Sequence, residues 1–228
     1  MDMEGAGEMF SELSRPPEDL SRFVARCADF WRVLSEVNRE RNLTRILDWE
    51  DFIVKHVFDS LLAVEVFPAL ASKSLSLIDI GCGGGFPSIP LAMAYPGLSI
   101  TAVDSNSGKI SFVADAAEKL GVSNLMPVRG RGRELARRDG FRKRFDVVTA
   151  RAVASLDRLF RETRGFIADE GAFLFYKTPE AVEMELPVLL KLRESRAYDW
   201  SVSKVLSLPE GLGDRVFVLG SPVTRVES

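Results

Sequence analysis

The chain has 228 residues, 46% of them hydrophobic and 28% charged, so it is long enough to bury a core as one or two domains and too apolar to be disordered. Its net charge of −3 argues against a general polyanion binder, and two cysteines with a single histidine are too few for a disulfide framework or a His/Cys metal centre. No apolar run approaches the ~20 residues of a membrane span, and Met1-Asp-Met-Glu-Gly is acidic where a secretory signal would be basic, so a cytoplasmic protein, without metal, is expected.

In chain order, residues 1–17 are expected to be a flexible lead-in. An amphipathic helix follows over 18–42, with Leu20, Phe23, Val24, Cys27, Phe30, Trp31, Leu34 and Val37 at helical spacing. Asp48 has the character of an N-cap for a second helix through Phe52, His56 and Leu62, ending before Pro68. Together 18–72 form an N-terminal helical cap. From residue 73 to 228 strands and helices alternate. Strands are expected at 76–80, 100–104, 125–128, 145–149 and 172–176, and helices at 88–95, 107–120, 155–168 and 180–196. Such alternation means an α/β domain with a mostly parallel, seven-stranded sheet covered on both faces. Trp200–Leu206 and Arg215–Leu219 then read as a C-terminal antiparallel hairpin.

The most informative stretch is the first strand, Ser76 to Ile80, which runs into Gly81-Cys-Gly83-Gly-Gly85-Phe86-Pro87. Glycine lets backbone approach a ligand closely. Pro87 suits the first turn of a helix whose free N–H groups would sit beside that ligand. A dinucleotide fingerprint needs its third glycine three positions after Gly83, where Phe86 stands, which disfavours a nicotinamide oxidoreductase; no Gly-Lys-Ser/Thr follows to make a phosphate loop. The Gly81, Gly83, Gly85 spacing instead resembles the first motif of S-adenosylmethionine-dependent methyltransferases. Asp104, ending the second strand, is placed to accept the hydroxyls of an adenosine ribose; its alternative is to cap the helix that follows.

Charge is unevenly spread. Arg129, Arg131, Arg133, Arg137, Arg138, Arg142, Lys143 and Arg144 outweigh Glu134 and Asp139, so residues 129–144 carry +6 and the rest of the chain −9. That is a basic edge on an acidic body, the pattern of a surface meeting nucleic-acid phosphates.

Five segments in order, Asn42-Leu-Thr44, Lys55-His56 to Leu61, Ile78 to Pro90, Val103-Asp104-Ser105 and Thr149 to Leu156, resemble the bacterial small-subunit ribosomal RNA methyltransferase G family, also called glucose-inhibited division protein B. The resemblance spans roughly residues 20–220. It implies a Rossmann-like class I methyltransferase that uses S-adenosylmethionine to methylate N7 of guanine 527, in the 530 loop of 16S rRNA. The implied partner is 16S rRNA or the small ribosomal subunit, met by a monomer. The sequence is consistent with this chemistry: no Asn/Asp-Pro-Pro-aromatic motif for amino-group methylation follows the fourth strand, and no cysteine stands there for attack on a pyrimidine.

By the same resemblance Gly81, Gly83, Phe86, Asp104, Gly132 and Arg133 line the cofactor. Family members usually carry an acidic residue near Arg133, so the adenine contact is either through backbone or shifted to Glu134. Arg151 is expected at the methionine end or on the target base, as the positioning residue for catalysis. Lys177 and Arg215 match basic positions of the family and, with Arg129, Arg131, Arg137 and Arg138, are expected on RNA phosphate. His56 reads more simply as a hydrogen-bonded helix residue, partnered by Asp59 or the glycine turn, than as a base. Two other functions remain open on sequence: a methyltransferase of this fold acting on a small molecule or a protein, and a non-catalytic RNA-binding module.

Overall fold

A computed structural model of the chain describes residues 1–41, 43–151, 154–195 and 197–223, the side chains of Glu40 and Arg41 excepted. Asn42, Ala152 and Val153, which belong to two of the motifs above, lie outside the described residues.

Helices α1 (Met3–Ser11) and α2 (Leu20–Arg41) begin the chain. The lead-in is therefore folded, which corrects the expectation of a flexible segment over 1–17. Asp2 caps α1 by accepting the Gly5 N–H, and Ala6, Met9 and Phe10 turn one face of the helix inward. Phe10 is fully buried, its ring 5.1 Å from that of Phe23 and 6.0 Å from that of Phe58. Burying one such ring stabilises by roughly 1.5–3 kcal/mol, enough to hold a helix of nine residues that would not persist alone.

After α2 the cap continues through α3 (Trp49–Asp51), a π-helical segment (Phe52–Phe58), α4 (Asp59–Leu61), α5 (Ala63–Val66) and α6 (Ala69–Ser72). Asp48 caps this stretch as expected, accepting the N–H groups of Glu50 and Asp51.

The α/β part comprises β1 (Ser76–Ile80), α7 (Ser88–Ala94), β2 (Ser99–Asp104), α8 (Ser107–Lys119), β3 (Leu125–Arg129), α9 (Gly132–Leu135), β4 (Phe145–Arg151), α10 (Leu156–Thr163) and β5 (Ile167–Lys177). It ends with α11 (Pro179–Met184), α12 (Leu186–Glu194), β6 (Tyr198–Val202), β7 (Leu206–Ser207) and β8 (Asp214–Pro222). Strand order is β3-β2-β1-β4-β5-β8-β6, parallel from β3 to β5, with β8 antiparallel to both β5 and β6. The expected sheet is thus present. Its hairpin is modified: the strand expected over 200–206 ends at Val202, and the chain rejoins β8 briefly as β7. The helix expected over 180–196 breaks ahead of Pro187, which cannot donate the i→i−4 bond that would continue it.

Alternate residues of each strand serve opposite faces. Leu77, Ile100, Ala102, Val147, Leu174 and Phe217 pack with the cap, α7 and α8. Ile78, Ile80, Val103, Val148, Phe173 and Phe175 pack with Leu135, Leu156, Leu159, Leu189 and Trp200 on the other side. Because β1 lies between β2 and β4, the chain reverses its winding there, and Gly81, Asp104, Gly130 and Arg151 all emerge at the carboxyl ends of these strands. That crevice is where open α/β sheets bind ligands.

Candidate active site

The glycine turn is fastened to its neighbour strand: the N–H groups of Gly81 and Cys82 both donate to the Val103 carbonyl, at 2.7 and 3.0 Å. Gly81, Gly83 and Gly85 all have positive φ. The demand is sharpest at Gly85, where φ is 91° and a Cβ would stand 2.5 Å from the Ile89 side chain. Pro87 occupies the cap position of α7, one residue earlier than expected, where its missing N–H is equally harmless.

Asp104 closes the other side. Its carboxylate accepts the Gly83 N–H at 3.1 Å and the Asn106 N–H at 2.9 Å, leaving lone pairs on both oxygens for a ligand. A cavity of about 690 Å³ opens beside it, lined by Gly81, Asp104, Gly130 to Glu134, Arg158 and Glu162. A second, of about 360 Å³, is lined by Leu43, Thr44, His56, Gly81, Gly83, Phe86, Asp104, Lys109 and Arg151. Gly81 and Asp104 border both cavities. Gly132 is buried against Ile80 and the Glu162 carbonyl, each 3.4 Å from where its Cβ would be. Arg133 and Glu134 both reach the first cavity from exposed positions.

A polar cluster forms the wall of the smaller cavity. Arg151 donates from Nη1 to Asp59 Oδ2 at 2.8 Å and to the Lys55 carbonyl at 3.2 Å, and its Nη2 lies 3.3 Å from His56 Nδ1. The Arg151 guanidinium also sits 5.4 Å from the centre of the Phe86 ring, and the His56 ring stacks on Phe86 at 4.2 Å. Phe30 and Phe52 enclose the same ring, so Phe86 is held from the cap side by three aromatic partners. Arg151 thus borders the cavity with its guanidinium committed to Asp59. Burial, reinforced by the Arg151 charge, pushes His56 down to about 3, which keeps the imidazole neutral. Asp79, at the root of the glycine turn, is fully buried; its Oδ2 accepts the Ser88 hydroxyl at 2.6 Å, its Oδ1 has no partner among the described residues, and burial raises it to about 7. The Cys82 thiol is pushed up by burial and is inert in this setting.

Two residues expected on RNA phosphate are occupied elsewhere. Lys177 is 8% exposed and its ammonium is bound to Glu185 and the Ala154 carbonyl. Arg215 is 16% exposed and grips Asp59 with Nε at 2.6 Å and Nη2 at 2.8 Å. Both are structural ion pairs, formed because a buried cation needs a carboxylate. Arg129, Arg131, Arg133, Arg137, Arg138, Arg142, Lys143 and Arg144 line the chain between β3 and β4, and Arg129, Arg131, Arg133, Arg137 and Arg138 stand clear of any carboxylate partner among the described residues. Arg137 continues into a groove with Arg133, Arg158, Arg161 and Arg164 beside the larger cavity.

Asp59, expected only as a partner for His56, instead anchors Arg151, and Asp79, Arg158, Glu162 and Lys109 join the site without having been expected there. Asp59 had a signal: an acid one helical turn beyond His56 within an apolar run. Among the described residues no group of three or more His, Cys, Asp or Glu could hold a metal ion, and no helix is long and apolar enough to cross a membrane.

The family model for rRNA small subunit methyltransferase G matches residues 24–195. The ribosomal RNA small subunit methyltransferase G of Lactobacillus delbrueckii subsp. bulgaricus is 34% identical over 199 residues, covering 87% of this chain and 82% of that protein. The corresponding protein of Lactobacillus acidophilus is 35% identical over 190 residues, covering 83% and 79%. Among solved structures, a putative S-adenosyl-L-methionine-dependent methyltransferase from Methanococcus maripaludis aligns with TM-score 0.54 at 13% identity, over 87% of this chain and 94% of that one. A SAM-dependent methyltransferase from Aquifex aeolicus aligns with TM-score 0.52 at 15% identity, over 71% and 92%. At such identities the structures speak for the fold, a Rossmann-like methyltransferase fold, whereas the sequence matches extend over most of the chain and through the cap: the chain belongs to the rRNA small subunit methyltransferase G family.

Proposed function

We propose that this protein transfers a methyl group from S-adenosylmethionine to N7 of guanine 527, in the 530 loop of 16S rRNA, acting on the RNA or the small ribosomal subunit as a cytoplasmic monomer. The observation that carries the reading is the pair of cavities that share Gly81 and Asp104 as lining residues, in a chain of this family.

The residues fit the cofactor. Asp104 has free lone pairs for the ribose hydroxyls, Gly81 and Gly83 leave room for backbone contact, and Gly132 with Arg133 or Glu134 borders the adenine end. Phe86 gives an apolar wall where the methionine chain meets the glycine turn. When bound, S-adenosylmethionine supplies an electrophilic methyl group on a sulfonium.

Guanine N7 has an unprotonated lone pair, so this chain need not remove a proton. The site agrees with that requirement: His56 is neutral, and both its ring nitrogens are engaged by Thr44 and Arg151. What the residues supply is orientation and exclusion of water, through Phe86 and the Arg151–Asp59 pair that fixes the wall. Arg129, Arg131, Arg137 and Arg138 are available to take phosphates, which position the RNA without reading its bases.

Chemical cleavage at 7-methylguanosine, applied to 16S rRNA from cells with and without the gene, tests the proposal. Cleavage in the 530 loop is expected to vanish without the gene and to return with the intact gene but not with D104A. An unchanged pattern overturns it.

A further inference from the structure

Thr44 follows α2 and is pinned there by Asn38: the Asn38 Nδ2 donates to the Thr44 carbonyl at 2.9 Å, and the Thr44 N–H donates to Asn38 Oδ1 at 2.8 Å. Its hydroxyl is more constrained still. Oγ1 accepts the Ile46 N–H at 3.0 Å and lies 2.8 Å from His56 Nε2. The direction of that second bond follows from the far side of the ring. Arg151 can only donate, so the 3.3 Å contact with its Nη2 assigns the acceptor role to His56 Nδ1. A neutral imidazole that accepts at Nδ1 carries its proton on Nε2, and Nε2–H therefore donates to Thr44.

A hydroxyl oxygen has two lone pairs and one proton. Both lone pairs are taken. Among the described residues nothing accepts the Thr44 proton, and Thr44 lines the smaller cavity with Gly83, Phe86 and Arg151. The side chain can act toward a ligand there only as a donor; rotating the hydroxyl would break one of its bonds.

We propose that the Thr44 hydroxyl is the donor that recognises the oxygen at C6 of the target purine and so selects guanine over adenine. The inference rests on the methyltransferase reading above. On the edge that carries N7, guanine offers two acceptors, N7 and O6, whereas adenine offers N7 and an amino donor. A donor set on O6 leaves N7 free to react. Opposite adenine it faces an N–H it cannot accept, and the uncompensated contact excludes that base.

The test uses small subunits assembled with 16S rRNA bearing either guanine or 2-aminopurine at the target, the latter keeping N7 and lacking the C6 oxygen. Wild type is expected to methylate guanine roughly tenfold faster, the worth of one neutral hydrogen bond. T44V should bring the two rates to within about twofold by losing rate on guanine, T44S should restore the preference, and S-adenosylmethionine affinity by equilibrium dialysis should stay within about twofold. A wild type indifferent to the C6 oxygen overturns the inference without any variant. T44V with full preference, or with weakened cofactor binding and intact preference, overturns it alone. A wild type that methylates neither base overturns the function as well.

Discussion

Asp59 ties the cap to the sheet, and removing its charge should loosen the whole molecule. Its side chain is 1% exposed and accepts three charge-assisted hydrogen bonds, one from Arg151 on β4 and a bidentate pair from Arg215 on β8. Breaking a buried pair by taking away one partner costs about 3–5 kcal/mol, mostly from the charge left behind. Here two cations are left, but neither is fully enclosed, at 11% and 16% exposure, and Arg151 keeps the Lys55 carbonyl. The lower end applies, so D59N should lose about 3 kcal/mol. For a chain of this size that is a fall in Tm of roughly 6–12 °C. Calorimetry and urea melts on D59N, R215M and the double variant provide the assay. The double variant should lose at least about 0.5 kcal/mol less than the sum of the single losses, because the two share one interaction. A loss in D59N below about 1 kcal/mol, or strict additivity, would show that the cap is held by apolar packing alone and refute the reasoning.

D104A should weaken S-adenosylmethionine binding by roughly 100-fold, since it removes an anionic acceptor for two hydroxyls; calorimetric titration decides, and unchanged affinity would remove Asp104 from the site. Acid should act on His56 and Asp79 in opposite directions. The unfolded chain protonates His56 below pH 6.5 but the folded one only near 3, so this group costs stability as pH falls through that window. Folded Asp79 protonates near 7 against 3.8 when unfolded, so its burial penalty is relieved as pH falls from 7 towards 4. Between pH 8 and 5 this amounts to about 2 kcal/mol for His56 and about 2–3 kcal/mol for Asp79. Relative to wild type, H56Q should gain stability on acidification and D79N should lose it; urea midpoints that run parallel for all three proteins would refute the assignment. R137E/R138E should methylate rRNA more slowly and show a shallower salt dependence of RNA binding, by about 0.7–0.9 in log–log slope for each phosphate left unneutralised, with cofactor affinity unchanged; an unaltered slope would remove these two from the RNA surface.

The glycine turn and Asp104 were legible because local spacing encodes them: a strand ending in glycines and a second strand ending in an acid bring both to one end of a parallel sheet. The ion pairs of Arg215 and Lys177 were not legible because their partners are distant or hidden. Asp59 stands 156 residues before Arg215, and nothing in a basic residue's immediate neighbourhood announces a buried carboxylate across the fold. The basic edge was visible because its residues are neighbours in sequence and share the segment between β3 and β4 in the structure. The helix at Met3–Ser11 escaped detection because its stability comes from Phe23 and Phe58, not from its own short run.

The position of β8 has a consequence in time. Among the described residues it is the last strand to be synthesised, yet it is an interior one, lying between β5 and β6 and carrying Arg215 to Asp59. While the chain is still leaving the ribosome, β5 presents an unpaired edge and the cap lacks one of its two arginine anchors. The sheet can close only when residues near 220 emerge, so a nascent chain stopped short of them would carry the glycine turn and Asp104 on a scaffold with a missing middle.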